Sequence, residues 1–180
     1  MQGRVISVAL SGRHGFSKAP VSAIHCLTGL GIEGDAHCGV TVKHRSRVAV
    51  DPGQPNLRQV HLLHFELLTE VNAKGFDVAP GALGENITTA GLNLLEYPLG
   101  TVLWFEGGAR LRLTGLRNPC AQIDAFRPGL LREMVIRGDA GQIVRRAGVM
   151  AVVEQGGIIG VGNGITAILP DRPHLRLERV

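Results

Sequence analysis

Glycine and proline break this chain into short pieces: twenty-five glycines and nine prolines are spread through 180 residues rather than gathered in one linker. Between them lie brief β-rich runs, a pattern that implies many tight turns joining short strands. Arg4 to Leu10 reads as a first strand and Val21 to Leu27 as a second, with Cys26 packed among apolar neighbours. Arg58 to Leu63 alternates as a strand does. From His64 to Lys74 the period changes to three and four, through Phe65, Leu67, Leu68 and Val71, so a helix with one apolar face is expected there, capped by Gly75. His61 and His64 at this junction read as ordinary surface histidines.

Leu99 to Thr114 reads as a hairpin turning at Gly107-Gly108. Pro128 to Ile136 is a candidate helix with Pro128 in its first turn. Val149 to Glu154 and Ile165 to Leu169 are further strands. Eight or nine short strands and two helices in one core argue for a mostly β fold, an antiparallel β-barrel with a few short helices, filling residues 1–180 as a single domain. The stretch from Thr41 to Asn56, with Lys43-His-Arg-Ser-Arg, reads as an exposed loop.

Three of the nineteen basic residues are lysine and the rest arginine. Between Arg110 and Arg146 eight arginines face three acids, a local excess larger than the net charge of +4. Arginine suits bidentate recognition of phosphate or carboxylate, although base composition also favours it over lysine. The seven aromatics are scattered rather than arrayed for base stacking, so a small anionic ligand is expected and nucleic acid is not. No apolar run approaches the roughly 18–20 residues that span a bilayer, and Met1-Gln-Gly-Arg-Val does not open a signal peptide, so no membrane contact and a cytoplasmic location are expected. Three cysteines without CxxC spacing indicate reduced thiols.

Cys120 lies in Gly115-Leu-Arg-Asn-Pro-Cys-Ala-Gln-Ile-Asp, just past a strand end. Pro119 fixes its own φ and biases Asn118 to extended geometry, so the thiol enters on a stiff turn. Arg117, three residues earlier, favours a thiolate if the two side chains meet. On these residues alone Cys120 is either a reactive or ligating thiol or a buried inert one. Arg127 and the N-terminus of the Pro128 helix would add to an anion preference if they faced the same pocket. Gly29 to Gly39 holds Asp35, His37 and Cys38 on a glycine-rich loop; the three could be a metal site, although no fourth ligand is evident, or Asp35 and His37 either wall a pocket or simply hold the loop. Glu85 and Asn86, after Gly84, organise a turn or wall a cleft.

Four pieces together resemble the MOSC family, named for the C-terminal domain of molybdenum cofactor sulfurases: Gly34-Asp-Ala-His37, Pro80-Gly-Ala-Leu-Gly-Glu-Asn-Ile, Arg117-Asn-Pro-Cys120, and the closing run from Arg146 to Ile165. The resemblance implies a β-barrel that handles the molybdenum cofactor of molybdopterin type. It makes Cys120 either the thiolate ligand of molybdenum or a persulfide carrier, and it places Arg117, Gly84, Glu85, Asn86, Asp35 and His37 around the cofactor. Asn163 stands where many relatives have aspartate, and the 41–56 segment fits the family pattern poorly.

The expected function is a cofactor-binding, Cys-ligated molybdoenzyme subunit that reduces N-hydroxylated compounds with a redox partner. Its ligand would be the anionic pterin cofactor. One alternative is a persulfide sulfur carrier loaded by a cysteine desulfurase, pyridoxal phosphate then residing on that separate partner. The other is a non-catalytic binding module with an inert thiol.

Overall fold

The short runs form a barrel, seen in a computed structural model that describes residues 2–43, 48–138 and 141–180. In chain order the elements are β1 (Gln2–Leu10), β2 (Ala19–Val21), β3 (Ala23–Leu27), β4 (Gly31–Ile32), β5 (Val60–His64), α1 (Phe65–Ala73), β6 (Ile87–Ala90), β7 (Val102–Phe105) and β8 (Arg110–Leu116). Then follow α2 (Gln122–Phe126), α3 (Leu130–Met134), β9 (Val135–Arg137), β10 (Ile143–Arg145), β11 (Val149–Gln155), β12 (Gly157–Gly160) and β13 (Gly164–Ile168).

Seven strands close the ring in the order β1, β13, β7, β8, β11, β5, β6, with β2 paired outside on β1. Closure is made by β1 and β13, where Gln2 faces Thr166 and Arg4 faces Gly164. A closed ring leaves no unpaired strand edge to satisfy elsewhere. Val5, Leu62, Ile87, Leu103, Leu111, Leu113, Val149 and Ile165 fill its interior, each burial worth about 1.5–3 kcal/mol.

All the ring pairings are antiparallel except β5 with β6, where Leu62 aligns with Ile87. A parallel pair cannot be joined by a tight turn and needs a crossover of a dozen or more residues. Here α1 and the loop 74–86 supply it, and they lie outside the ring. Gly75 ends α1 at φ +88°, as expected of a C-terminal glycine. A second apolar cluster of Leu63, Leu67, Leu68, Val71, Leu83, Ile123, Leu130, Met134 and Ala147 packs this outer layer against the ring.

Some boundaries differ from the sequence reading. The run Val21 to Leu27 is split at Ser22 into β2 and β3, which belong to different sheets. The helix expected over Pro128 to Ile136 shortens to α3, because Gly129 adopts φ +88° before it and Val135 leaves it to pair with Arg145. The described residues hold thirteen strands, more than the eight or nine expected, since several are only two or three residues long. Of the basic cluster in the 41–56 loop, residues 44–47 lie outside the described residues.

Two glycines test how tightly the ring is built. At Gly148 the backbone has φ +95°, and an added Cβ would meet the Leu62 carbonyl and His61 Nε2. Gly108, at φ +88°, has open space instead. Gly108→Ala is expected to cost about 1–2 kcal/mol of left-handed strain, a melting shift of roughly 2–8 °C. Gly148→Ala should melt lower still, and equal melting points would show that the wall at Gly148 gives way freely.

Candidate functional site

The crossover leaves a small cleft, partly open to solvent, on the outside of the barrel. Its wall is the outer face of β5 and β11, where His61 stands directly opposite Met150. Phe16, Lys18, His37, Arg58, Leu83, Gly84, Asn86, Arg117 and Gln122 complete the lining.

Asp35 sits behind this lining with its side chain wholly buried. Its Oδ2 accepts from Lys18 Nζ at 2.6 Å, Asn86 Nδ2 at 3.0 Å and the Ser11 amide at 3.3 Å. Its Oδ1 accepts from the His37 amide at 2.9 Å and the His37 ring at 3.2 Å. Burial opposes ionisation of Asp35, but the His37 hydrogen bonds and the Lys18 charge outweigh it and hold the carboxyl well below its usual range. Asp35 is therefore an anion already matched to Lys18, and it contributes little net charge to the cleft.

Asn86 ties three segments at one point. Its Oδ1 accepts from the His61 amide at 3.1 Å, and its Nδ2 donates to the Ala9 carbonyl at 3.1 Å as well as to Asp35. Glu85 points the other way, fully buried, with Oε1 accepting from the Gly81 amide at 2.7 Å and the Thr88 hydroxyl at 3.2 Å. No hydrogen-bond donor reaches its Oε2. Burial pushes the Glu85 carboxyl up, favouring its neutral form.

Arg117 leaves the end of β8, its amide donating to the Gly148 carbonyl at 3.0 Å. Its Nη1 is buried without a hydrogen-bond partner. Burial pushes its pKa down, opposed by the nearby Cys120 and Glu85, and a guanidinium stays charged under such a shift. Burial weakens Glu85 as a counter-ion to this charge by favouring its neutral form. A buried unpaired charge is costly and is relieved by an anionic ligand.

Cys120 stands at the mouth rather than in the lining, half-buried, its thiol donating to Gln122 Oε1 at 3.6 Å. Cys26, by contrast, is packed in the barrel core, and burial pushes its thiol up to about 12. Among the described residues no three potential metal ligands gather, so Asp35, His37 and Cys38 do not form a cluster.

Of the residues singled out in the sequence, Gly84, Asn86, Arg117 and His37 line one cleft, Asp35 and Glu85 support it from behind, and Cys120 borders it. Arg127 does not reach it; Arg127 Nε donates to the Phe76 carbonyl at 3.0 Å and its guanidinium lies over Phe126. The five-residue α3 likewise supplies no helix N-terminus to the cleft. His61 is not a surface residue but 5% exposed, because the outer layer covers the face of β5 that alternation alone would leave in water. Lys18, Arg58, Phe16 and Met150 carried no local signal, since each acquires its place only through partners distant in sequence.

The MOSC domain profile matches residues 37–166. Among solved structures, the YuaD protein from Bacillus subtilis is similar at 25% identity and a TM-score of 0.77, over 95% of this chain and 98% of that one. YiiM from Geobacillus stearothermophilus shares the fold at 17% identity and a TM-score of 0.64, over 97% of this chain and 79% of that one. YiiM from Escherichia coli does so at 20% identity and a TM-score of 0.59, over 96% and 73%. No curated protein sequence matches the chain. The profile covers well over half of the sequence, and the chain belongs to the MOSC domain family, a family associated with molybdenum cofactor binding.

Proposed function

We propose that this chain binds the molybdenum cofactor in the cleft beside Cys120 and serves as an oxidoreductase subunit. The observation that carries the reading is the buried Arg117 Nη1, a charged donor without a protein acceptor, next to a half-buried thiol. Arg117 and Arg58 would receive the cofactor phosphate, with Lys18 held by Asp35 at the same wall. Cys120 would supply the thiolate ligand. Gly84, Asn86 and His37 shape the remaining wall, and Asp35 and Glu85 fix it from behind.

When bound, the cofactor supplies the electron-transfer chemistry, while the chain orients it and admits substrate through the open side. The substrate class is N-hydroxylated compounds, reduced to amines and water with two electrons from a redox partner protein and two protons. This chemistry calls for the reduced thiols of the cytoplasm. No described helix is long and apolar enough to cross a membrane.

A persulfide carrier is the second reading, favoured by the position of Cys120 at the mouth, where a partner's active site can reach it. In that case a separate cysteine desulfurase, with its own pyridoxal phosphate, loads the sulfur onto Cys120.

Elemental mass spectrometry separates the readings. Protein expressed anaerobically in a cofactor-producing host should carry close to one molybdenum per chain, and Cys120→Ser should lose most of it; equal metal in both sinks the ligand role. If neither holds metal, incubation with a cysteine desulfurase and cysteine should add one sulfur mass to Cys120, as the carrier reading requires. Both readings expect Cys120 to react with iodoacetamide at least tenfold faster than Cys26, whose thiol is buried and held protonated. Equal rates would make Cys120 an inert thiol.

A further inference from the structure

His61 is the one cleft-lining group that combines near-complete burial with an open protonation site. Its Nε2 lies 2.8 Å from the Ala147 carbonyl. A carbonyl only accepts, so Nε2 carries the proton of the neutral ring and Nδ1 is left bare. The Gly84 backbone also favours the charged ring, which has a second N–H to donate. Two backbone acceptors around one imidazole suit a ring with two N–H groups, yet burial first, and then the Arg117 charge, hold His61 neutral, well below the ordinary histidine range.

The charged neighbours decide what would change this. On the β8 side stands Arg117, and Lys18 adds a weaker repulsion. Lys18 is matched by Asp35, which also holds His37. Glu85, below the lining, is pushed toward its neutral form by burial. Arg58 lines the same wall. Arg117 is thus the main opposing charge that a ligand can neutralise, and the bare His61 nitrogen is the proton site that its neutralisation would open.

We propose that His61 is the proton acceptor of this cleft: an anion seated on Arg117 draws one proton from solvent onto His61 Nδ1, so that anion binding and proton uptake are a single coupled event. The inference rests on the anion-binding cleft of the proposed function. It gives that function a proton source, because reduction of an N-hydroxyl group to an amine and water consumes two protons and a protonated His61 would hold one of them in the same cleft.

Sulfate is the probe, since its charge does not change near neutral pH. Calorimetric titration of sulfate near pH 6, just below the ordinary imidazole value of about 6.5, in buffers of different ionisation enthalpy should show about one proton taken up per sulfate. Binding should strengthen as pH falls, approaching tenfold per pH unit. In protein carrying 15N-histidine, the His61 ring nitrogens should change from the one-protonated to the two-protonated pattern on sulfate addition. His61→Gln should abolish the uptake, while His174→Asn, at an exposed histidine outside the cleft, should retain it. Where His61→Gln does not fold, the ring spectrum of the native chain decides alone, assigned through its backbone. Sulfate binding without uptake, or uptake with the His61 ring still neutral, overturns the proposal and leaves the cofactor cleft standing. Absence of sulfate binding at 50 mM removes the anion cleft itself and this inference with it.

Discussion

The arrangement of the cleft depends on one buried carboxylate. Asp35 accepts hydrogen bonds from Ser11, Lys18, His37 and Asn86, which come from three separate stretches of chain. An ionised carboxylate taken out of water is costly unless each oxygen is satisfied, and here the satisfying groups are the ones that hold the wall in place. Lys18 reaches in from the segment before β2, the glycine loop folds over its own Asp35, and Asn86 brings the end of the crossover to β1. Removing any of these donors leaves the charge exposed to a low-dielectric interior. The same energetics that make Asp35 expensive therefore make the wall rigid.

Rigidity of this kind allows the other charges to remain unmatched. Asp35 and Lys18 cancel, and Glu85 is pushed toward its neutral form by burial. Arg117 is left as a guanidinium with a buried, unpartnered Nη1. In a flexible loop such a side chain would swing out to water. Here its amide is tied to the Gly148 carbonyl and its strand is held on the far side by the chain end, where the Leu116 amide donates to the Glu178 carbonyl at 2.7 Å. The fold thus keeps a positive charge in place at the cleft.

The barrel was legible because its strands announce themselves through alternation and its turns through glycine. The pattern of β8, with Leu111, Leu113 and Gly115 buried between less buried neighbours, is what period two predicts. β5 breaks the rule, since Val60 to Leu63 are all buried. One face meets the barrel core and the other the outer layer, and nothing local in Val-His-Leu-Leu-His says that a crossover will cover the second face. That is why His61 reads as a surface residue and is not one. Lys18 failed for a related reason: its partner is seventeen residues away, and a lysine followed by Ala-Pro carries no sign of burial. Arg117, Asn86 and Asp35 were singled out because glycine, proline and resemblance marked their turns, not because their contacts could be foreseen.

Arg117 and Cys120 belong to a single short turn, and this shapes what the cleft can recognise. The turn is pinned at its start by the Arg117 amide on Gly148 and at its end by the Ile123 amide on the Cys120 carbonyl at 3.0 Å, with Pro119 stiffening the middle. The Cα atoms of Arg117 and Cys120 cannot move apart by more than the span of four residues. Under the proposed reading, a ligand carrying an anionic group and a thiolate-seeking metal or sulfur centre would be read across this one turn. A free phosphate would satisfy only the arginine, and a bare metal ion only the cysteine. On that reading, selectivity for a compound bearing both would follow from the backbone of this turn, and it would be lost by lengthening the turn even with both side chains retained.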